Sequence, residues 1–185
     1  MSGFYFTLLA VLLAGLAARD QLTVAELTAR QGARPGVLVT GLAISIATGV
    51  AAAWAGSLIA PMLPSNARLF LAALALAFAG GESLLLSPGR SPDEPTRSLG
   101  ALAIVLLSRQ LTDAARFLVF AMAVATNAPV PAALGGALGG AVLLAAAWFA
   151  PAFVMQPVLR KLRRFVGAAL LLLALFLGLR VLDLV

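Results

Sequence analysis

The chain contains no cysteine and no histidine. Their absence removes disulfide frameworks, thiolate and imidazole metal sites, and every catalytic arrangement that depends on a thiol or an imidazole. A hard-cation site built from oxygen ligands stays open. Charge is also scarce, at 11% of residues. No nucleophile–base pair, phosphate-binding loop or cofactor motif is recognisable, so neither enzymatic activity nor a cofactor is expected.

What remains is apolar. Of the 185 residues, 62% are hydrophobic and the mean hydropathy is +1.05, more apolar surface than a water-soluble domain of this size can hide in one core. An integral membrane protein is expected. The net charge of +6 raises the question of nucleic acid, but the basic residues fall mostly in short loops between apolar segments and read as topology signals. The run from Phe4 to Ala18 lacks a preceding Lys or Arg, and the apolar pattern resumes after Arg19-Asp20. It is read as part of the first spanning helix and not as a secretory signal.

Stretches of about 20 apolar residues can cross the hydrocarbon core as helices. Six are present: Phe4–Leu27, Gly36–Leu63, Ala67–Leu86, Leu99–Ala125, Val130–Val154 and Phe165–Leu182. The expected fold is an all-α polytopic membrane protein with six transmembrane helices. Small residues such as Gly49, Gly56, Gly135 and Gly139 allow close helix packing, which in lipid replaces the hydrophobic driving force. Loops after the first, third and fifth helices share a face and carry Arg30, Arg34, Arg90, Arg97, Arg160, Lys161, Arg163 and Arg164, against essentially Arg68 on the other face. The positive-inside rule makes the first set cytoplasmic and puts both termini in the periplasm of a bacterial inner membrane.

SPGRSPDEPTRS, residues 87–98, has three prolines and mixed charge and cannot continue a helix. It divides a first three-helix unit (1–87) from a second (99–185), with 88–98 as a cytoplasmic linker. The units resemble each other when aligned on Asp20 and Asp113. From Asp20 it is 34 positions to Trp54 of AAAW, and from Asp113 it is 35 to Trp148 of a second AAAW. One inserted residue puts Gly41 on Gly135, brings Pro35 close to Pro129, and lets Arg68 correspond to Arg164. A three-helix unit repeated in sequence must enter the membrane from opposite sides, which gives an inverted repeat with its site where the copies meet.

An ionisable group at the bilayer centre costs roughly 2.5–3.5 kcal/mol, so it faces protein or water. SRQLTDAAR, residues 108–116, puts Arg109, Asp113 and Arg116 on one helical stripe, flanked by Gln110 and Thr112. In the first helix Asp20 and Thr23 share a face. One reading makes Asp20 and Asp113 the carboxylate ligands of a divalent cation such as Mn²⁺ or Ca²⁺, helped by oxygens of Gln110, Thr112, Thr23 and Ser108. Such carboxylates can also take protons, the requirement for exchange. The other reading pairs the acids with Arg19, Arg109 and Arg116 as internal ion pairs. Glu82 is read as interfacial or as a supporting residue of the site, and Glu26 with Arg30 as a surface pair. Trp54 and Trp148 anchor at an interface or pack.

On these residues the chain resembles the small membrane proteins, bacterial to Golgi, that carry two copies of a Glu-x-Gly-Asp-Lys-(Thr/Ser) motif in inverted three-helix repeats and exchange Mn²⁺ or Ca²⁺ for protons. They belong to the lysine-exporter superfamily. The second copy, QLTDAAR, places Gln110 at the motif glutamate, Thr112 at the glycine, Asp113 at the aspartate and Ala114 at the lysine. The first, AARDQLT, places Ala17, Arg19, Asp20 and Gln21 at the same four positions. Only the aspartates match. The resemblance implies cation export coupled to protons, with the bilayer, the cation and protons as partners and no nucleic acid. Two alternatives stand beside it. One is export of a small organic solute such as an amino acid, which the arginines would suit; the other is a transport-inactive paralogue that serves as an accessory or assembly subunit of a larger membrane complex, in which the cluster is structural. A homo-oligomer or such a complex is the protein partner open to the chain.

Overall fold

The computed structural model describes residues 2–85 and 97–182, so of the expected linker only Arg97 and Ser98 fall within it, and Leu86 and Arg90 lie outside the described residues. All regular structure among the described residues is helical: α1 (Ser2–Ala14), α2 (Arg19–Gln31), α3 (Pro35–Ile59), α4 (Ser65–Leu85), α5 (Leu99–Leu111), α6 (Ala114–Thr126), α7 (Pro129–Phe149), α8 (Pro151–Val154) and α9 (Pro157–Val181), with a 3₁₀ turn at Ala60–Met62. Four helices, α3 with its 3₁₀ turn, α4, α7 and α9, are long and apolar enough to cross a membrane, and a fifth span results if α1 and α2 are taken as one.

The first expected helix is therefore two, bent by 60° at residues 15–18. Ala17 sits in the break with φ 51°, a left-handed conformation that costs a residue with a Cβ about 1–2 kcal/mol. Past it the chain changes character: α2 is RDQLTVAELTARQ, and Asp20 lies in its first turn, where a carboxylate opposes the positive end of the helix. The fourth expected helix is likewise two, α5 and α6. Thr112 ends α5, and Asp113 is the N-cap of α6, its Oδ1 accepting from the Ala115 N–H at 3.3 Å. A left-handed Asn127 then closes α6, and Pro129 opens α7.

The last expected helix begins earlier than its hydropathy indicates. Pro157 occupies the first turn of α9, so Arg160, Lys161, Arg163 and Arg164 are helical and not in a loop. Arg163 turns inward and is 3% exposed. In the fifth, Ala150-Pro151 separates α7 from the short α8.

Alanines make up much of the interior, beside leucines such as Leu106, Leu118 and Leu144, and large apolar side chains cover the outside. Ala10, Ala14, Ala75, Ala79, Ala115 and Ala121 are buried, whereas Phe6, Leu58, Phe78, Leu134, Phe165 and Leu172 are exposed, the arrangement expected when packing must be close and the surroundings are apolar. α3 lies along α7 and α4 along α9; α3 also meets α5 and α6, as α7 meets α1 and α2. At the α4–α9 crossing, a Cβ on Gly80 would stand 2.7 Å from the Gly167 carbonyl and one on Gly167 2.9 Å from the Gly80 carbonyl. Only two glycines permit that approach, and one turn away it brings Glu82 to Arg163. Two loops expected on one face also meet: the Arg34 guanidinium donates to the Arg97 carbonyl at 3.3 Å, and the Trp148 indole donates to the Arg34 carbonyl at 3.1 Å. Trp148 thus packs within the protein, while Trp54 is 64% exposed.

Candidate functional site

Both helix breaks leave backbone groups without helical partners, and side chains from elsewhere in the chain supply them. At the first break the Ala17 N–H donates to Gln21 Oε1 at 2.6 Å, while the Ala17 carbonyl accepts from the Arg163 guanidinium of α9 at 2.8 Å. The Gln21 amide is itself fixed by donation to the Leu143 carbonyl of α7 at 3.0 Å. At the second break the free Ala114 N–H donates to Glu82 Oε2 of α4 at 3.0 Å. Glu82 Oε1 and Arg163 form an ion pair at 3.5 Å, the one ion pair within 4 Å among the described residues.

Between the breaks lies a small, partly open cavity lined by Arg19, Asp20, Glu82, Arg109, Thr112 and Asp113. Its water-accessible volume is about 10 Å³, roughly what a single water needs. Asp20 and Asp113, one from each break, thus share a chamber. Asp113, Asp20 and Glu82 are close enough to interact electrostatically. No group of three or more acidic side chains that could hold a metal by itself occurs among the described residues. A cation here would draw on fewer carboxylates and on neutral oxygens.

A chain of polar contacts runs inward from Asp20. Its Oδ1 accepts from the Gln21 N–H at 2.7 Å, and its Oδ2 accepts from Gln110 Nε2 at 3.0 Å. Gln110, fully buried, accepts at Oε1 from the Thr48 hydroxyl at 2.8 Å. Thr48 in turn accepts from Arg116 Nε at 2.9 Å, and a second Arg116 nitrogen donates to the Ser45 hydroxyl, also at 2.9 Å. Arg116 is 5% exposed, so its hydrogen bonds to neutral hydroxyls of α3 offset only part of its desolvation. Gly140 of α7 makes room for this contact, since a Cβ there would run into Ser45 Oγ.

The expected site residues separate as follows. Asp20, Asp113 and Thr112 line the chamber, and Gln110 holds Asp20 from behind. Thr23 reaches it only indirectly: its hydroxyl donates to the Arg19 carbonyl at 2.6 Å and accepts from Arg109, which also donates to that carbonyl at 3.0 Å. The Thr112 hydroxyl turns back to the Ser108 carbonyl at 3.0 Å. Ser108 does not join the site; it is exposed and bonds its own helix at the Val105 carbonyl. The expected ion pairs of Arg19, Arg109 and Arg116 with the two aspartates do not form within 4 Å, nor does a Glu26–Arg30 pair. Arg109 is taken up by oxygens of α2 and Arg116 by hydroxyls of α3, while Arg19 Nε and Glu26 Oε2 are buried without a partner.

Glu82 lines the chamber and bonds both Arg163 and the Ala114 N–H, and Arg163, Thr48 and Ser45 were not among the expected residues. Ser45 and Thr48 carried a signal: two hydroxyls three apart, on one face of an otherwise apolar helix. Arg163 gave none, because it sits in a run of four basic residues that resembles an ordinary cytoplasmic flank.

Searches against family models, curated proteins and solved structures return no match for the chain.

Proposed function

We propose that the protein is a secondary transporter that exports a small inorganic cation in exchange for protons, working around Asp20 and Asp113. The observation that carries this reading is the convergence of those two carboxylates, each from the break of a different interrupted helix, on one small chamber. Interrupted helices at membrane depth are tolerated where they line a cavity, and transporters use them to place backbone dipoles and polar side chains around a substrate.

Six spans arranged as an inverted repeat are part of the proposal. Support comes from the order of elements: interrupted helix, long helix and third helix, twice over, as α1/α2, α3, α4 and α5/α6, α7, α9. Each long helix also packs against the interrupted helix of the other half. Rocking one half against the other would expose the chamber alternately. With the arginine-rich loops cytoplasmic, both termini are periplasmic in a bacterial inner membrane.

Chamber size discriminates between substrates. About 10 Å³ of water-accessible space suits a dehydrated Mn²⁺ or Ca²⁺ held by Asp20, Asp113 and a hydroxyl or water, and is too small for an amino acid. The guanidiniums of Arg19 and Arg109 on the same wall favour a second reading, export of a zwitterion, which would require the chamber to expand. Proteoliposome flux decides. Mn²⁺ or Ca²⁺ uptake driven by a proton gradient is expected in the wild type and lost in Asp20→Asn and Asp113→Asn. Undiminished flux in the double variant defeats the proposal, and amino-acid flux without cation flux selects the second reading.

A further inference from the structure

Outside the chamber, and sharing Glu82, Thr112 and Asp113 with it, is a groove of about 530 Å³ between α4 and the α5/α6 break, within the size range of small-molecule sites. Its other walls are Ala77, Phe78, Gly81, Leu85, Leu111, Ala114 and Phe117, and it opens on the outside of the bundle, where Phe78 and Leu111 are exposed. We propose that this groove is a binding site for an organic monocation with apolar substituents, seated with its charge at Asp113 and its hydrocarbon against Phe78 and Phe117. The inference concerns equilibrium binding and does not require that the chamber transports an inorganic ion.

Charge argues for a cation. Arg19 and Arg109 line the inner chamber but not the groove, so the charged groups on the groove wall are two carboxylates. Glu82 already has Arg163 on Oε1 and the Ala114 N–H on Oε2. Asp113 receives one hydrogen bond, a long one from the Ala115 N–H at 3.3 Å, among the described residues. A carboxylate with no ion pair within 4 Å, Arg116 and Arg163 acting on it only from farther off, therefore borders an apolar groove, a placement that costs several kcal/mol in hydrocarbon surroundings and that a single positive charge would relieve.

Shape argues for apolar substituents. Phe78 and Phe117 meet edge to face, with ring centroids 5.7 Å apart and an interplanar angle of 68°, and both line the groove. Aromatic walls beside a carboxylate favour a weakly hydrated cation over a strongly hydrated metal ion, because the rings contribute both contact area and attraction for positive charge. Beside them Gly81 leaves open space, with nothing within 4 Å of where its Cβ would stand.

The test is equilibrium binding of tetraphenylphosphonium to the full chain in nanodiscs, against empty nanodiscs, with tetraphenylborate as the anion of matching shape. Saturable binding of the cation is expected, with binding of the anion at least about tenfold weaker. Gly81→Leu puts bulk into the groove and leaves both acids in the chain, and Asp113→Asn removes the charge; each is expected to weaken cation binding by about tenfold or more. Circular dichroism and size exclusion establish that the variants are folded, and Phe117→Leu, expected to weaken binding severalfold, serves if Asp113→Asn is not. Equal binding of both ions means an apolar groove that takes a lipid tail and overturns the proposal. So does loss in Asp113→Asn with no change in Gly81→Leu, which moves the cation to the inner chamber. Unchanged Mn²⁺ flux in Gly81→Leu leaves the transport reading standing whichever way binding falls.

Discussion

Arg163 and Glu82 meet 3.5 Å apart, and each also completes the helix break on the opposite half of the chain: Arg163 at the Ala17 carbonyl, Glu82 at the Ala114 N–H. A single ion pair thus ties the two interruptions together through α4 and α9. Both side chains are largely buried, at 4% and 15% exposed, so truncating either leaves the other charge and a backbone group unpaired. Glu82→Ala and Arg163→Ala are each expected to cost about 3 kcal/mol. Unfolding in detergent, read as a double-mutant cycle, checks this. The double variant should lose much less than the sum, and strict additivity would mean that the pair is not coupled.

Ala17 carries the strain of the first break, with φ 51° at a fully buried alanine. Glycine adopts that conformation without penalty. Ala17→Gly is therefore expected to stabilise the fold by about 0.5–1 kcal/mol after the extra freedom of glycine in the unfolded chain is subtracted. A raised melting temperature, with Ala18→Gly as a control that lowers it, is the measurement. A loss of stability at Ala17 would mean that the left-handed turn is not populated.

That the chain is helical, with several helices long and apolar enough to cross a membrane, could be read from apolar runs, because lipid-facing Leu and Phe and packed Ala and Gly both raise hydropathy; the count of six could not. The breaks could not. Neither has a proline, and at each a side chain from across the bundle completes what a local one begins: Arg163 beside Gln21 at one break, Glu82 beside Asp113 at the other. That Asp20, Asp113 and Gln110 face protein was legible, because polar side chains in an apolar run must face something. Their partners were not, since a helical stripe records neighbours on its own helix and not across the bundle. Arg109 and Arg116 share a stripe with Asp113, yet each bonds to another helix, the former to the Arg19 carbonyl and the latter to Thr48.

Gly140 is where α7 passes over the Arg116 contact. A methyl group there would strike Ser45 Oγ and stand 3.2 Å and 3.4 Å from the two terminal Arg116 nitrogens. Gly140→Ala is expected to cost about 1–3 kcal/mol through overpacking. Ser45→Ala removes the closest obstacle, so the double variant should be more stable than the sum of the two changes. Thermal unfolding of the four proteins measures the coupling, and its absence would show that α7 shifts to absorb the methyl group.

Under the proposed exchanger reading Gln110 takes the place of a glutamate, and its amide nitrogen is 3.0 Å from Asp20 Oδ2. Gln110→Glu replaces that donor with an acceptor of like charge and keeps the other oxygen for the Thr48 hydroxyl at 2.8 Å. Without a cation the two carboxylates repel across a buried contact, so the variant should melt well below the wild type. A divalent ion in the chamber would reverse the sign: the added carboxylate behind Asp20 raises the negative charge that attracts it, and the folded state gains about 2.7 kcal/mol at a hundredfold excess over the dissociation constant. Melting curves with increasing MnCl₂ or CaCl₂ should therefore rise more steeply for Gln110→Glu than for the wild type, and Asp20→Asn added to the variant should flatten them. A variant whose melting temperature ignores both ions would place Asp20 in a purely structural role, because a carboxylate pair that binds no cation has no reason to be repaired by one.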